Sequence, residues 1–274
     1  MASPNGGVRV ESVGVLTGWG RGAGALPLDA RTAAAGRAVL PLPRPSLGGE
    51  RFRRATRECL LGVEAVGAML AEAGLDRAAI RGEGTALLFV TAGAYGSSNV
   101  GFIGARSGTL HFPYTAPSAL SGEVAIEFGL TGAYVILIGG APATIDAIWQ
   151  AGLLLAQGRC ERALVLVVET FEDCEALWRR ARWTLPAPLV ETAACALLTR
   201  GDTPAVYGVA AEAGALETAV EARAGRTLAA APLVALALAR AAGEPAARLT
   251  GFWRGRRAGI ELAVAGRRLE SANV

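Results

Sequence analysis

Residues able to act as nucleophiles or general bases are scarce in this sequence. It contains one histidine, His111, and four cysteines, and all 27 of its basic residues are arginines. A cysteine attacks as its thiolate, which needs a nearby base, a cation or a helix N-terminus. A metal site needs closely spaced cysteine or histidine ligands, and that spacing is missing. We therefore expect no metal and no other cofactor.

None of the cysteines lies where a thiolate is favoured. Cys59 falls within a helical pattern, and Cys195 lies in an apolar strand, where a thiol behaves as a small hydrophobe. Cys160, at a helix-to-strand junction, is interpreted as a packing residue. Cys174 has three acidic neighbours, whose charge disfavours its thiolate. His111 lies in the apolar stretch LHFPY, so a structural role is favoured over an isolated base.

Composition narrows the class of protein further. Of the 274 residues, 52% are hydrophobic and 19% are charged, and the net charge is +3. There is no basic run with interleaved aromatic residues, so we expect no nucleic-acid partner. No apolar run is long enough for a membrane span and no leader pattern is visible, so we expect a cytoplasmic location. The apolar composition also suits a surface that another subunit covers.

Strand and helix patterns alternate along the chain. Uninterrupted apolar runs predict strands buried on both faces, and apolar residues at helical spacing predict helices. This alternation predicts a layered α/β fold. The predicted strands are Val8–Thr17, Thr85–Thr91, Tyr134–Ile138, Arg162–Glu169, Ala193–Thr199, Ala205–Ala213, Arg248–Trp253 and Gly259–Val264. The predicted helices are Glu50–Ala73 with Gly74 as its C-cap, Ser97–Ser107, Ser118–Phe128, Pro142–Gln157, Phe171–Arg182 and Leu228–Ala242.

The segment from Tyr114 to Leu198 carries motifs in a distinctive order. It contains PSALSGEVAIEFGLTG, then YVILIGGAPATIDAI, then LLLAQGRCERALVLVVE, and it ends in ETAACALL. Together these motifs resemble the central stretch of ketosynthases, the thiolase-like condensing enzymes. VESVGVLTGWG resembles the opening strand of that family, and APLVALALA with the closing strands resembles the end of its C-terminal half.

The resemblance implies a fold and a division of the chain. Ketosynthases have a thiolase-like layered fold, with helices packed between and around mixed β-sheets. Residues 1–200 would correspond to the N-terminal half, and residues 201–274 to a shortened remnant of the C-terminal half in the same globular unit.

The resemblance also implies that the catalytic residues are absent. Ketosynthases use a cysteine nucleophile assisted by two histidines or a His–Asn pair. Counting back from Cys160 without gaps places the nucleophile position on Ala141, whose methyl group cannot attack a thioester. The histidine motifs belong to segments that this shorter chain lacks. Thr144 and Asp146 follow the nucleophile turn and are interpreted as first-turn helix residues.

A ketosynthase-like chain without catalysis resembles the chain-length factors of type II polyketide, polyene or fatty-acid-type systems. Such a subunit forms a heterodimer with a full-length ketosynthase, shapes its acyl tunnel and meets the acyl carrier protein through that partner. Tyr134–Ile138 matches the family strand that pairs across the two-fold axis of the dimer. The loop at Tyr114 and Thr115 matches the family loop that lines the partner's tunnel. The interface and tunnel candidates are Tyr114, Thr115, Tyr134, Val135, Ile136, Leu137, Ile138 and Trp149.

Two other functions stay open at this point. One is an acyltransferase or decarboxylase on the same scaffold that uses serine, threonine or water. The other is a homodimer that binds an acyl chain or a carrier protein and has no ketosynthase partner.

Overall fold

A mixed sheet of nine strands runs through the computed structural model, which describes residues 7–93, 96–104, 113–181, 183–184, 187–210 and 212–265. The strands are β1 (Gly7–Thr17), β2 (Gly20–Arg21), β3 (Val39–Leu40), β4 (Thr85–Thr91), β5 (Tyr134–Ile138), β6 (Arg162–Glu169), β7 (Leu189–Val190), β8 (Thr192–Gly201), β9 (Val206–Gly208), β10 (Ala246–Trp253) and β11 (Arg256–Val264). The helices are α1 (Ala30–Ala34), α2 (Arg57–Ala73), α3 (Gly96–Gly104), α4 (Ser118–Phe128), α5 (Ala141–Ala156), α6 (Glu175–Ala181), α7 (Ala215–Ala224) and α8 (Ala231–Ala241).

The strand order is β10-β11-β1-β8-β6-β4-β5, with β2 beside β1 and β9 beside β11. Strands β5, β4 and β6 are parallel to one another, whereas β8 is antiparallel to both β6 and β1. Strand β11 is parallel to β1 and forms an antiparallel hairpin with β10. Strands β3 and β7 form a separate two-stranded sheet. The strands after residue 201 therefore extend the sheet that the earlier strands begin.

Helices cover both faces of the central strands. Along β6, Ala163, Val165 and Val167 belong to one buried cluster, which includes α5 and α8. Leu164, Leu166 and Val168 point to the other face and pack with α2 and α4. Helix α5 contacts β4, β5 and β6 as well as β10 and β11, so the sheet curls around it. The layered α/β prediction is confirmed, and α5 lies at the centre of the described core.

Several elements match their predictions closely. Strands β4 and β6 and helix α4 have the predicted bounds. Helix α2 ends at Gly74 in the left-handed conformation, as expected, but its predicted start at Glu50 is wrong. Glu50–Arg54 forms a separate 3-10 turn, and α2 begins at Arg57, after Thr56, whose side chain accepts a hydrogen bond from the Cys59 N–H. No helix within the described ranges is both long and apolar enough to cross a lipid bilayer.

Strand β5 was predicted to be buried, and this prediction is wrong. Among the residues that the structure describes, it pairs with β4 alone and forms the end of the sheet, so Tyr134 is 61% exposed and Ile138 is 52% exposed. An apolar run records the character of its own side chains and does not reveal whether a neighbouring strand pairs with it.

Two further differences lie between β8 and α8. The predicted strand Ala205–Ala213 is reduced to β9, which pairs with β11 and not with β8. Helix α7 was not predicted, because its sequence ALETAVEARA mixes charged residues with alanine and has little apolar periodicity. It packs against α8, β10 and α1.

Candidate functional site

Ala141 is the first residue of α5, the 16-residue central helix. The chain leaves β5, passes through Gly139 and Gly140, and enters the helix at once, with Pro142 in its first turn, where a missing N–H leaves no hydrogen bond unmade. A helix start carries unpaired N–H groups and a partial positive charge, which favour a thiolate or an oxyanion. The side chain held there is a methyl group that is 7% exposed. It offers neither a nucleophile nor a proton acceptor.

The β10–β11 hairpin covers this helix start. A Cβ atom added to Gly251 would lie 2.5 Å from the Cβ of Ala141, so the β10 backbone packs directly on that methyl group. A Cβ added to Gly140 would lie 2.6–2.7 Å from three ring atoms of Trp253, so the face of the indole rests on Gly140. Glycine is required at both positions because any side chain would collide with these neighbours.

A cleft of about 490 Å³ opens beside Ala141. Its walls carry Trp253, Phe252 and Leu228, together with arginine and glutamate side chains. Arg257 forms an ion pair with Glu217 at one side of the cleft. Leu228 has a φ of +47°, a strained conformation for a residue with a side chain.

Glu169, at the end of β6, holds the loop that contains Leu228. Its buried carboxyl group accepts hydrogen bonds from the N–H groups of Ala92 (2.6 Å), Gly93 (3.3 Å) and Ala229 (3.3 Å). Burial raises the pKa of Glu169 to about 8, although these hydrogen bonds oppose the rise. One carboxyl group therefore joins the end of β4 to the wall of the cleft.

The two polar residues after the nucleophile turn are both engaged in structural contacts. Thr144 is buried, and its hydroxyl donates to the Ala229 carbonyl at 2.6 Å. Asp146 accepts from the Tyr207 hydroxyl at 2.6 Å and from two nitrogens of Arg256 at 2.6 and 2.9 Å. Desolvation and the neighbouring Asp146 raise the pKa of Tyr207. Neither Thr144 nor Asp146 points to chemistry beside Ala141.

The cysteines are unsuited to attack. Burial raises the pKa of Cys59 to about 11, and burial also raises the pKa of Cys160, Cys174 and Cys195. Cys59 lines a cavity of only about 20 Å³, room for a single water. No group of three or more metal-ligating side chains occurs in the part of the chain that the structure describes. His111 lies outside the described residues.

The interface candidates fall on two faces of the sheet. Val135 and Leu137 pack with the α5 cluster, and so does Trp149, whose ring stacks on Tyr207 at 5.2 Å between centroids. Ile136 and Tyr114 instead pack with the α2–α4 cluster. Tyr114 and Thr115 lie in a 3-10 turn (113–115) just before α4, and both are partly buried. Tyr134 and Ile138 are the exposed residues of the edge strand.

Sequence reasoning missed Trp253, Gly251 and Glu169. The one available signal was Gly251, since a glycine inside a strand often marks a close approach of another backbone. The partner of that approach, Ala141, lies 110 residues earlier in the chain, and only the docked hairpin reveals it.

Residues 45–188, more than half of the chain, match the family model described as "Beta-ketoacyl synthase, N-terminal domain". The chain belongs to the beta-ketoacyl synthase family. No protein of curated function matches this chain significantly.

Solved structures of other beta-ketoacyl synthases have the same fold. A chain from the AntDE:AntF structure, a type II acyl-carrier protein in complex with its ketosynthase, gives a TM-score of 0.70 at 13% identity, covering 94% of this chain and 99% of that one. The ishigamide ketosynthase/chain length factor gives 0.66 at 16% identity, covering 95% and 100%. The PfaC keto synthase–chain length factor gives 0.69 at 10% identity, covering 97% and 44%. The thiolase-like layered fold is therefore confirmed.

Proposed function

We propose that this chain is a non-catalytic ketosynthase-like subunit, a chain-length factor, that pairs with an active ketosynthase. The partner would form the carbon–carbon bond in polyketide, polyene or fatty-acid-type biosynthesis. This chain would supply one wall of the partner's acyl tunnel and fix the dimer. An acyl carrier protein would reach the complex through the partner.

The observation that carries the proposal is the start of α5. A condensing enzyme needs a thiolate there to take the acyl group from its thioester. The helix keeps the position that activates a nucleophile, and residue 141 is alanine beneath Gly251 and Trp253. Thr144 and Asp146, the polar residues that follow Ala141 in α5, do not replace the thiol, because each is held by other contacts.

The edge strand β5 supports the pairing. An uncharged edge strand with exposed apolar side chains is a template for another chain, and monomeric proteins usually protect such an edge with charges, prolines or bulges. The sequence YVILI has none of these protections. A partner that adds a strand to β5 would cover Tyr134 and Ile138 and would bring the turn at Tyr114 and Thr115 toward its own tunnel.

Three of the structural neighbours provide models for the proposed assembly. The names of the ishigamide and PfaC structures describe a ketosynthase together with a chain length factor. The name of the AntDE:AntF structure describes a ketosynthase in complex with an acyl-carrier protein. Those assemblies are the model for the partners proposed here.

Co-expression with a ketosynthase of the same genome tests the pairing. We expect a one-to-one complex to co-purify, with a mass measured by size exclusion and light scattering equal to the sum of the two chains. A monodisperse monomer that never joins the ketosynthase would contradict the proposal. A stable dimer of this chain alone would favour the homodimeric binder.

A further inference from the structure

The open cleft of about 490 Å³ beside Ala141 combines aliphatic walls with charged side chains. Val220, Leu228 and Ala231 line it together with Ala141. The charged side chains that line it are Arg226, Arg254, Arg257, Glu217 and Glu221. Sites for small molecules have volumes in this range, and they join apolar walls to a few polar groups that fix the ligand's orientation.

The charges that line the cleft do not cancel. Arg257 is paired with Glu217, whereas Arg226 lies 3.8 Å from Glu221, near the limit of an ion pair. Arg254 has no carboxylate partner among the residues that the structure describes. Three arginines against two glutamates leave one positive charge, and the start of the 16-residue helix α5 adds a partial positive charge. The cleft therefore favours an anion.

Two neighbouring residues in the cleft wall have buried polar atoms without a hydrogen-bond partner. These atoms are Nε of Arg226 and Oγ1 of Thr227, and Thr227 is 1% exposed. In the described part of the chain, the only other buried side-chain nitrogen or oxygen in this condition is Oγ1 of Thr85. A buried polar atom without a partner lowers stability, so an acceptor brought by a ligand would be favoured here.

We propose that this cleft binds a free carboxylic acid with an apolar chain, with the carboxylate on Arg226 and the chain along the aliphatic walls. The side chain of Arg226 is 40% exposed, so its guanidinium group can turn and present Nε and Nη2 together. Glu221, which is 62% exposed, can turn into solvent as it does so. Two parallel N–H groups match the two oxygens of a carboxylate.

The ligand would be held without a covalent bond, because the side chain at residue 141 is a methyl group. A thioester has no negative charge at its carbonyl group, so it would not replace a carboxylate on Arg226. The proposal concerns this chain alone and does not rest on its pairing with a ketosynthase.

Binding of octanoate to the isolated full-length chain tests the proposal. Isothermal titration calorimetry at low ionic strength is suitable, because salt screens the charges. We expect saturable one-to-one binding of octanoate. The affinity for 1-octanol, which has the same chain length and no charge, should be at least tenfold lower. Inorganic phosphate, which has charge and no chain, should also bind at least tenfold more weakly.

Arg226→Gln should lower the affinity for octanoate at least tenfold and change that for 1-octanol less than twofold. Arg226→Lys should restore only part of the loss, because an ammonium group lacks the two parallel N–H groups. Arg248→Gln is the matched control, since Arg248 is an exposed arginine of β10 that does not line this cleft. A urea denaturation curve shows whether each variant is folded.

Absence of saturable octanoate binding, or an affinity for 1-octanol or phosphate equal to that for octanoate, overturns the proposal. So does a loss in folded Arg226→Gln that is no greater than the loss in Arg248→Gln. If Arg226→Gln does not fold, Arg254→Gln decides, because it removes the positive charge that has no carboxylate partner. At least threefold weaker octanoate binding than in Arg248→Gln supports the site, and a smaller difference refutes it.

Discussion

Glu169 is a buried carboxyl group that is hydrogen-bonded to the Ala229 N–H, next to the strained Leu228 in the wall of the cleft. It receives three backbone N–H groups from two separate loops, those of Ala92, Gly93 and Ala229. Such a group joins segments that are far apart in sequence, and its protonation state affects how firmly they are joined. Titration of this one carboxyl group therefore tests how the wall of the cleft is held in place.

The folded chain holds a proton on Glu169 more tightly than the unfolded chain does, because burial raises the pKa from 4.5 to about 8. The free energy of unfolding is therefore expected to fall as pH rises from about 4.5 to about 8, by an amount on the order of 2–4 kcal/mol. Urea denaturation at pH 5, 6.5 and 8 measures the free energy of unfolding. The sequence has a single histidine, so histidine titration contributes little to its pH dependence over this range.

In Glu169→Gln most of this pH dependence should disappear. The exposed Glu244 provides the matched control, and Glu244→Gln should keep the slope of the unmodified chain. An identical slope in Glu169→Gln would show that the carboxyl group is charged throughout this range.

At the scale of elements, the sequence separates the interior of the sheet from its edge poorly. Strands β4 and β6 were predicted with their bounds, because an apolar run between two helical layers carries a strong signal. Strand β5 carries the same signal and lies at the edge. Pairing depends on which strands the connections bring together, and one strand's composition does not contain that information.

The candidate site shows the same division. The assignment of Ala141 to the nucleophile position uses only a local register relative to Cys160, and it stays a prediction. The residues that pack on the start of α5 were not predicted, because the contacts of Gly251 and Trp253 with this helix depend on how the last hairpin docks. Helix α7, which holds that hairpin through Glu217, was also missed, because its charged and small residues lack periodicity.

Strand β5 gives a prediction at this scale. Lysine on a strand edge blocks the addition of another strand, because its charge would be buried in the new interface. In Ile138→Lys we expect binding to the ketosynthase to weaken at least 100-fold, measured by co-purification and light scattering. The free energy of unfolding of the isolated chain should change by less than about 0.5 kcal/mol, because Ile138 is half exposed.

Leu28→Lys is the control for this substitution. Leu28 is 89% exposed and lies just before α1, which packs against α7, so the same new charge should leave the complex intact. Equal binding by both variants would place the interface elsewhere on the chain.

At the scale of the whole molecule, the fold has a methyl group at the start of its central helix and an exposed, uncharged strand edge at one end of its sheet. The start of α5 lies beneath the β10–β11 hairpin, and β5 presents an uncharged edge. In the proposed assembly, this chain would contribute surface and shape, while its partner would contribute the reacting groups. The alternative enzyme functions require this chain itself to carry an acyl group or to turn over substrate.

Intact-protein mass spectrometry of the co-purified complex, after incubation with acyl- and malonyl-carrier protein, tests this division of labour most directly. We predict that the added acyl mass appears on the ketosynthase alone and that this chain keeps its unmodified mass. Replacing the partner's nucleophilic cysteine by alanine should abolish both the adduct and the product. A stable acyl adduct on this chain, or product formed without the partner's cysteine, would contradict a non-catalytic role.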